Sequence, residues 1–176
     1  MQLTFVCSGN TCRSPLAVAA WEVVAREMSA QCRKRLAKVT VRSAGLNARR
    51  GTSASAMAQL IAASWDADLS EHRARVWRPD ARNNEEQVIV AMTGEQAAQI
   101  RFRLETQPKP SDVVVETLGA FVADAERQNA PSWSEDDGES ALDIPDPYGG
   151  SSEAYEECGG RILRAVRALA HNYCRD

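Results

Sequence analysis

The sequence predicts an α/β domain built on a four-stranded parallel sheet with helices on its faces, and three observations carry that reading. Short apolar runs of strand length alternate with longer stretches whose apolar residues recur at helical spacing, the pattern of a parallel sheet with crossover helices. The 176 residues suffice for one domain with a substantial core, and no internal repeat divides them. The composition, 44% hydrophobic and 26% charged with a formal net charge of −3, is ordinary for a globular protein. That balance offers no basic surplus for nucleic acid and no apolar run of membrane-spanning length, so neither is expected as a partner. The N-terminus lacks the pattern of a secretory signal. Five cysteines, an odd number, fit free thiols in a reducing cytoplasm better than a disulfide framework. The expectation is a cytoplasmic monomer.

The elements follow in order. Met1 to Val6 is a strand-like run with "LTFV" at its buried centre. From Ser14, "SPLAVAAWEVVAREM" reads as a helix, with serine as its cap and Pro15 at the first helical position. Ala37 to Ser43 alternates as a strand does, and "AGLNARRGTS" is a loop. Ala54 to Ser64 is a helix, Glu86 to Thr93 a core strand, Gly94 to about Leu104 a helix, and Asp112 to Val115 a strand. The last helix runs from about Ser152 to Tyr173 with Tyr155, Cys158, Ile162, Val166, Leu169 and Tyr173 on one face. Gly159 and Gly160 inside it cost about 1 kcal/mol each relative to alanine. Glu126 to Asp143 breaks the rhythm: polar and acidic, it reads as a mobile loop, an insertion at about 126–143.

The chemistry is concentrated in "CSGNTCRSP", Cys7 to Pro15. A strand, a tight loop with Ser8, Gly9, Asn10 and Thr11, and a helix start make an anion site from backbone N–H groups and the helix dipole. Arg13 can fork onto two oxygens of a phosphate-sized anion. The same positive field favours the thiolate of Cys7, a nucleophile suited to attack on phosphorus. Ser14 can donate to that thiolate. Cys12 either packs beneath the loop or traps an oxidised Cys7 as a disulfide. A zinc site at Cys7 and Cys12 lacks partners of suitable spacing, so no metal is expected. Phosphoryl transfer also needs a proton donor for the leaving group. "DIPDPYGGS" supplies Asp146, held between prolines and followed by Tyr148 and two glycines.

"VCSGNTCRSP" and "DPYGGS", with "VRSAG", "DLSEHRAR" and "VIVAMT" between them in order, resemble the low-molecular-weight protein phosphatase family. The resemblance spans the chain except Glu126 to Asp143. It implies a cysteine-dependent phosphatase needing no cofactor, acting on phosphorylated protein substrates through a phosphocysteine, with phosphate or a similar oxyanion held in the loop. It implies Cys7 as nucleophile, Arg13 as phosphate clamp, Asp146 as general acid and base, and Ser14 as helper of the thiolate. It also implies Asn10, Ser43 and His72 as a network bracing the loop, where asparagine suits a left-handed backbone.

The substrate turns on Thr11 and Tyr148. Family members acting on phosphotyrosine typically carry a bulky aliphatic residue at the Thr11 position and two aromatics where this chain has "YG". The bacterial protein-arginine phosphatases are more similar at both motifs, which implies phosphoarginine as substrate. The alternative is a protein-tyrosine phosphatase of the same family. The loop "GLNARRG" has no aromatic, which leaves Asn47 or Arg49 on that side and Tyr148 as the remaining flat wall. A more distant alternative is a related arsenate reductase, but the later cysteines, Cys32, Cys158 and Cys174, form no close pair in sequence.

Overall fold

The computed structural model describes residues 1–80, 85–106, 112–122 and 142–174. Four strands, β1 (Gln2–Cys7), β2 (Thr40–Gly45), β3 (Gln87–Ala91) and β4 (Val113–Thr117), form one parallel sheet in the order β2-β1-β3-β4. The helices are α1 (Arg13–Glu27), α2 (Ala30–Leu36), α3 (Ala56–Ser64), α4 (Gly94–Thr106) and α5 (Ser152–Cys174), with a 3₁₀ turn at Leu118–Phe121. Of the expected acidic insertion, only Leu142 and Asp143 lie within the described residues.

Alternation along the central strands divides the core in two. Leu3, Phe5, Val90 and Met92 face a cluster built with α1, α3 and α5, which includes Leu16, Trp21, Ile61, Ile162 and Leu169. Val6, Ile89 and Ala91 face the other side, where α4 packs Ala97, Ile100 and Leu104 beside Trp77. Both faces are therefore covered, as a parallel sheet requires. Strand order reverses direction at β1, so a crevice opens beyond the carboxyl ends of β1 and β3. Cys7 ends β1 at that crevice.

Three local readings are corrected. Ser14 does not cap α1; the helix begins at Arg13, its cap position Cys12 makes no side-chain cap bond, and Ser14 is wholly buried. Its hydroxyl is used inside the loop instead. The short helix α2 was not expected, because "AQCRKRL" shows only Cys32 and Leu36 buried, one turn apart; Ser29 caps it by accepting from the Cys32 N–H at 3.3 Å. The free-thiol reading fails for one pair: Cys32 and Cys174 form a disulfide with Cα atoms 5.2 Å apart. Sequence separation of 142 residues hid it. The Arg35 side chain donates to the Cys174 carbonyl at 3.1 Å across the same junction.

On α5, Tyr155, Cys158, Ile162, Val166 and Leu169 are buried, and Tyr173 meets Trp21 edge-to-face with centroids 5.8 Å apart. Gly159 is there for close approach, since a Cβ would lie 2.7 Å from Ile61 Cγ2 and 3.1 Å from Trp65. Helix α5 carries the chain from the acid segment at Ser152 to the far end of the sheet, about 33 Å for its length. The Cys32–Cys174 pair thus sits at the opposite end of the domain from Cys7.

Candidate active site

The loop from Cys7 to Arg13 turns back on itself around Asn10. Asn10 has φ 53°, a left-handed conformation that asparagine adopts more readily than most residues. Its backbone N–H donates to Cys7 Sγ at 3.3 Å. Its side chain, fully buried, spends every polar group: Nδ2 donates to Ser14 Oγ at 2.9 Å and to Ser43 Oγ at 3.0 Å, and Oδ1 accepts from the Arg75 N–H at 2.8 Å. The Asn10 carbonyl accepts from His72 Nε2 at 2.7 Å. Burial holds the His72 pKa below the ordinary imidazole value, with the Arg75 and Arg73 charges adding to that effect and the Asn10 bond opposing it. A neutral ring protonated at Nε2 satisfies this contact.

Ser14 Oγ lies 3.1 Å from Cys7 Sγ and 3.2 Å from the Ala44 carbonyl. Its one proton has two acceptors. With a thiol at Cys7, the hydroxyl donates to Ala44 and accepts from sulfur; with a thiolate, the hydroxyl proton turns to sulfur. Cys7 itself is buried.

Arg13 is buried as well, and its guanidinium makes two hydrogen bonds. Nη1 donates to the Ile144 carbonyl at 3.0 Å and Nη2 donates to the Asp146 carboxylate. Ile144, itself fully buried, anchors the segment that carries Asp146, and its N–H donates to the Met92 carbonyl at the end of β3. The Asp146 carboxylate is half-exposed, and its other oxygen accepts from the Tyr148 N–H at 3.2 Å. The Tyr148 side chain projects into solvent, 82% exposed.

The remaining loop residues divide by role. The Thr11 carbonyl accepts from the Ser55 N–H at 2.8 Å, which ties the loop to the start of α3. The Thr11 hydroxyl sits 3.5 Å from where a Cβ on Gly9 would lie, and makes no hydrogen bond among the described residues. Cys12 is buried, and burial, reinforced by Cys158, Cys7 and Asp146, pushes its thiol pKa well up. Burial also pushes the Cys158 thiol up to about 12. Cys7, Cys12 and Cys158 are all free thiols. Among the described residues no cluster of His, Cys, Asp or Glu is placed to hold a metal ion.

Two supports escaped the sequence reading. Gln96, buried in the first turn of α4, accepts from the Met92 N–H at 3.2 Å and donates to Ser8 Oγ at 3.0 Å. "TGEQ" carries the spacing of a capping box, and the Gln96 N–H does donate to Thr93 Oγ1 at 3.2 Å. The glutamine side chain, however, reaches the loop. The second support is Gly45 at the end of β2. A Cβ there would meet the Ser8 carbonyl oxygen at 2.6 Å and the Asn10 nitrogen at 2.8 Å, so only glycine lets β2 approach the loop this closely.

The structure thus joins Cys7, Asn10, Ser14, Ser43 and His72 in one hydrogen-bonded network, pairs the buried Arg13 with the half-exposed Asp146, and ties Ser8 to Gln96 on α4. Such an arrangement can hold an oxyanion, attack it with sulfur and move a proton to or from a leaving group.

The comparisons with known proteins agree in kind. The family described as low molecular weight phosphotyrosine protein phosphatase matches residues 2–176. A protein-arginine-phosphatase from Geobacillus stearothermophilus is 29% identical, with 96% of this chain and 93% of that protein covered. A probable low molecular weight protein-tyrosine-phosphatase, EpsP, from Ralstonia solanacearum is 31% identical, covering 93% of this chain and 89% of that protein. Among solved structures, the YwlE arginine phosphatase, a mutant with a phosphorylated active-site serine, superposes with a TM-score of 0.72 at 25% identity, covering 100% of this chain and 97% of that one.

Proposed function

The chain belongs to the low molecular weight phosphotyrosine protein phosphatase family, and from that premise we propose that it removes the phosphoryl group from phosphoarginine side chains of proteins through a phosphocysteine at Cys7. Membership makes the protein a phosphatase. In the proposed reaction the phosphate oxygens take the loop N–H groups and the Arg13 fork, which turns from Asp146 onto the anion. The Cys7 thiolate attacks phosphorus, the P–N bond breaks, and the Asp146 carboxyl gives its proton to the departing guanidine nitrogen. Water then attacks the phosphocysteine, Asp146 takes a proton from it, and phosphate leaves as the thiolate is restored. Ser14 donates to sulfur whenever sulfur carries the negative charge.

One observation carries the choice of phosphoarginine: among the described residues the Thr11 hydroxyl takes no hydrogen-bond partner. A guanidinium is planar and polar and wants acceptors around it, whereas a phenyl ring wants apolar walls. Thr11 offers an oxygen, Asp146 a carboxylate, and the exposed Tyr148 a single flat face. A site built with unpaired polar groups discriminates against a ligand that leaves them unpaired.

The test compares kcat/KM for phosphoarginine and phosphotyrosine in peptides of the same sequence, with one preparation. Phosphoarginine should be preferred by about tenfold or more, and Thr11→Ile should lower that activity while raising turnover of aryl phosphates. A wild-type preference for phosphotyrosine, unchanged in Thr11→Ile, would overturn the arginine reading and leave a protein-tyrosine phosphatase.

A further inference from the structure

The chain carries a formal charge of −3, yet its arginines are not evenly spread. Arg50, Arg73, Arg75 and Arg78 line one open groove of about 700 Å³, with Val76 in its wall. Arg42 extends the same positive strip along β2, where it lines two smaller clefts that also contain Arg75. All five side chains are exposed. Among the described residues none of the five guanidinium groups takes part in an ion pair. Among the described residues Arg73 donates to the Ser70 and His72 carbonyls. Among the described residues the acidic side chains facing the strip are Glu71 and Asp80.

The groove is also coupled to the loop. The Arg75 N–H holds Asn10 Oδ1 and His72 holds the Asn10 carbonyl. The Gly51 N–H donates to the Ala74 carbonyl at 2.9 Å, which joins the groove's two banks. Beyond Gly51, the Ser55 N–H reaches Thr11. A partner seated in the groove therefore rests on the segment that braces the phosphate loop.

We propose that this groove docks an acidic segment of the phosphorylated protein substrate, next to the side chain being dephosphorylated. The inference rests on the site acting on protein side chains, and not on which side chain that is. Unpaired, exposed guanidinium groups recognise carboxylates bidentately and steer them from a distance. The exposed apolar surface of Val76 suits a peptide rather than a bare polyphosphate. The negative net charge elsewhere disfavours a nucleic acid.

The test measures fluorescence anisotropy of three labelled probes, none phosphorylated on a side chain: octa-glutamate, octa-lysine and a single-stranded RNA octamer. Octa-glutamate should bind wild type, and should lose about tenfold in affinity when NaCl rises from about 50 to about 300 mM. The charge-reversed Arg50→Glu/Arg78→Glu protein should bind octa-glutamate at least about tenfold more weakly and should gain affinity for octa-lysine. In that variant KM for a phosphopeptide with an acidic tail should rise by about the same factor with kcat unchanged. Turnover of para-nitrophenyl phosphate should stay within about twofold of wild type, which shows an intact site. Absence of octa-glutamate binding, equal binding by the variant, or tighter binding of RNA than of octa-glutamate would each overturn the proposal. Because octa-glutamate carries no phosphoryl group, these results are independent of the choice between phosphoarginine and phosphotyrosine.

Discussion

The guanidinium of Arg13 donates to the Asp146 carboxylate and to the Ile144 carbonyl, so Arg13 and Asp146, 133 residues apart, meet in one contact. Arg13 is buried while Asp146 is half-exposed. The arginine is the buried member of the pair and the carboxylate the solvent-facing one.

Arg13→Lys keeps the charge and loses the fork, so it cannot hold an anion and the acid segment in the same geometry. We expect kcat/KM for any phosphoryl substrate to fall by about a hundredfold or more. Asp146→Asn should slow turnover most for substrates with poor leaving groups, because those need the proton. Steady-state kinetics over a series of aryl phosphates of graded leaving-group pKa checks this: the slope against pKa should steepen in Asp146→Asn.

Gly45 gives a test that touches no reacting group. Gly45→Ala drives a methyl against two backbone atoms of the loop, at 2.6 and 2.8 Å, and neither can rotate away. The loop must shift, and a shift of about 1 Å is worth about a hundredfold in rate. The expected result is a drop of that order in kcat, with the circular dichroism spectrum retained. Wild-type kcat in Gly45→Ala would show that β2 does not set the loop position.

His72 makes the brace pH-dependent. Its folded pKa is depressed, so below the ordinary imidazole value the unfolded chain binds a proton that the folded chain resists. The stability this group contributes is fully present above about pH 6.5 and is lost as pH falls through the folded value. Thermal unfolding followed from pH 7.5 down to about 5 should show a falling Tm. His72→Gln keeps a donor for the Asn10 carbonyl without titrating, and should remove part of that dependence.

The Cys32–Cys174 disulfide closes a loop with a sequence separation of 142. Closure on this scale constrains the unfolded chain and is worth up to about 5 kcal/mol. Cys32→Ser should lower Tm under oxidising conditions to the value wild type shows in reductant. Since the pair lies at the far end of α5 from Cys7, kcat should be unchanged in both.

What the sequence disclosed follows the range of the forces involved. The β1–loop–α1 unit was legible because each requirement is local: a buried strand, a residue tolerant of positive φ at Asn10, and an arginine within reach of the cradle. Asp146 was legible as a rigid carboxylate, but its pairing with Arg13 depends on α5 and the buried Ile144 bringing distant segments together. Ser14 was misread because a serine before a proline looks the same whether it caps a helix or lies inside a hydrogen-bonded loop. Gln96 matched a capping box and in fact reaches Ser8, since only the fold puts the start of α4 beside β1. The Cys32 disulfide was hidden for the same reason: its partner lies at the other end of the chain.

The most direct test of the central claim is a rapid-quench experiment on Asp146→Asn with a phosphoryl-labelled substrate, followed by peptide mapping under conditions that preserve thiophosphate. With an aryl phosphate whose leaving group needs no proton, Asp146→Asn should form the intermediate readily and hydrolyse it slowly, so the label should accumulate on the peptide containing Cys7 as an acid-labile thiophosphate that is absent from Cys7→Ser/Asp146→Asn. Label on another residue, or full turnover by Cys7→Ser with no covalent species, would contradict the account.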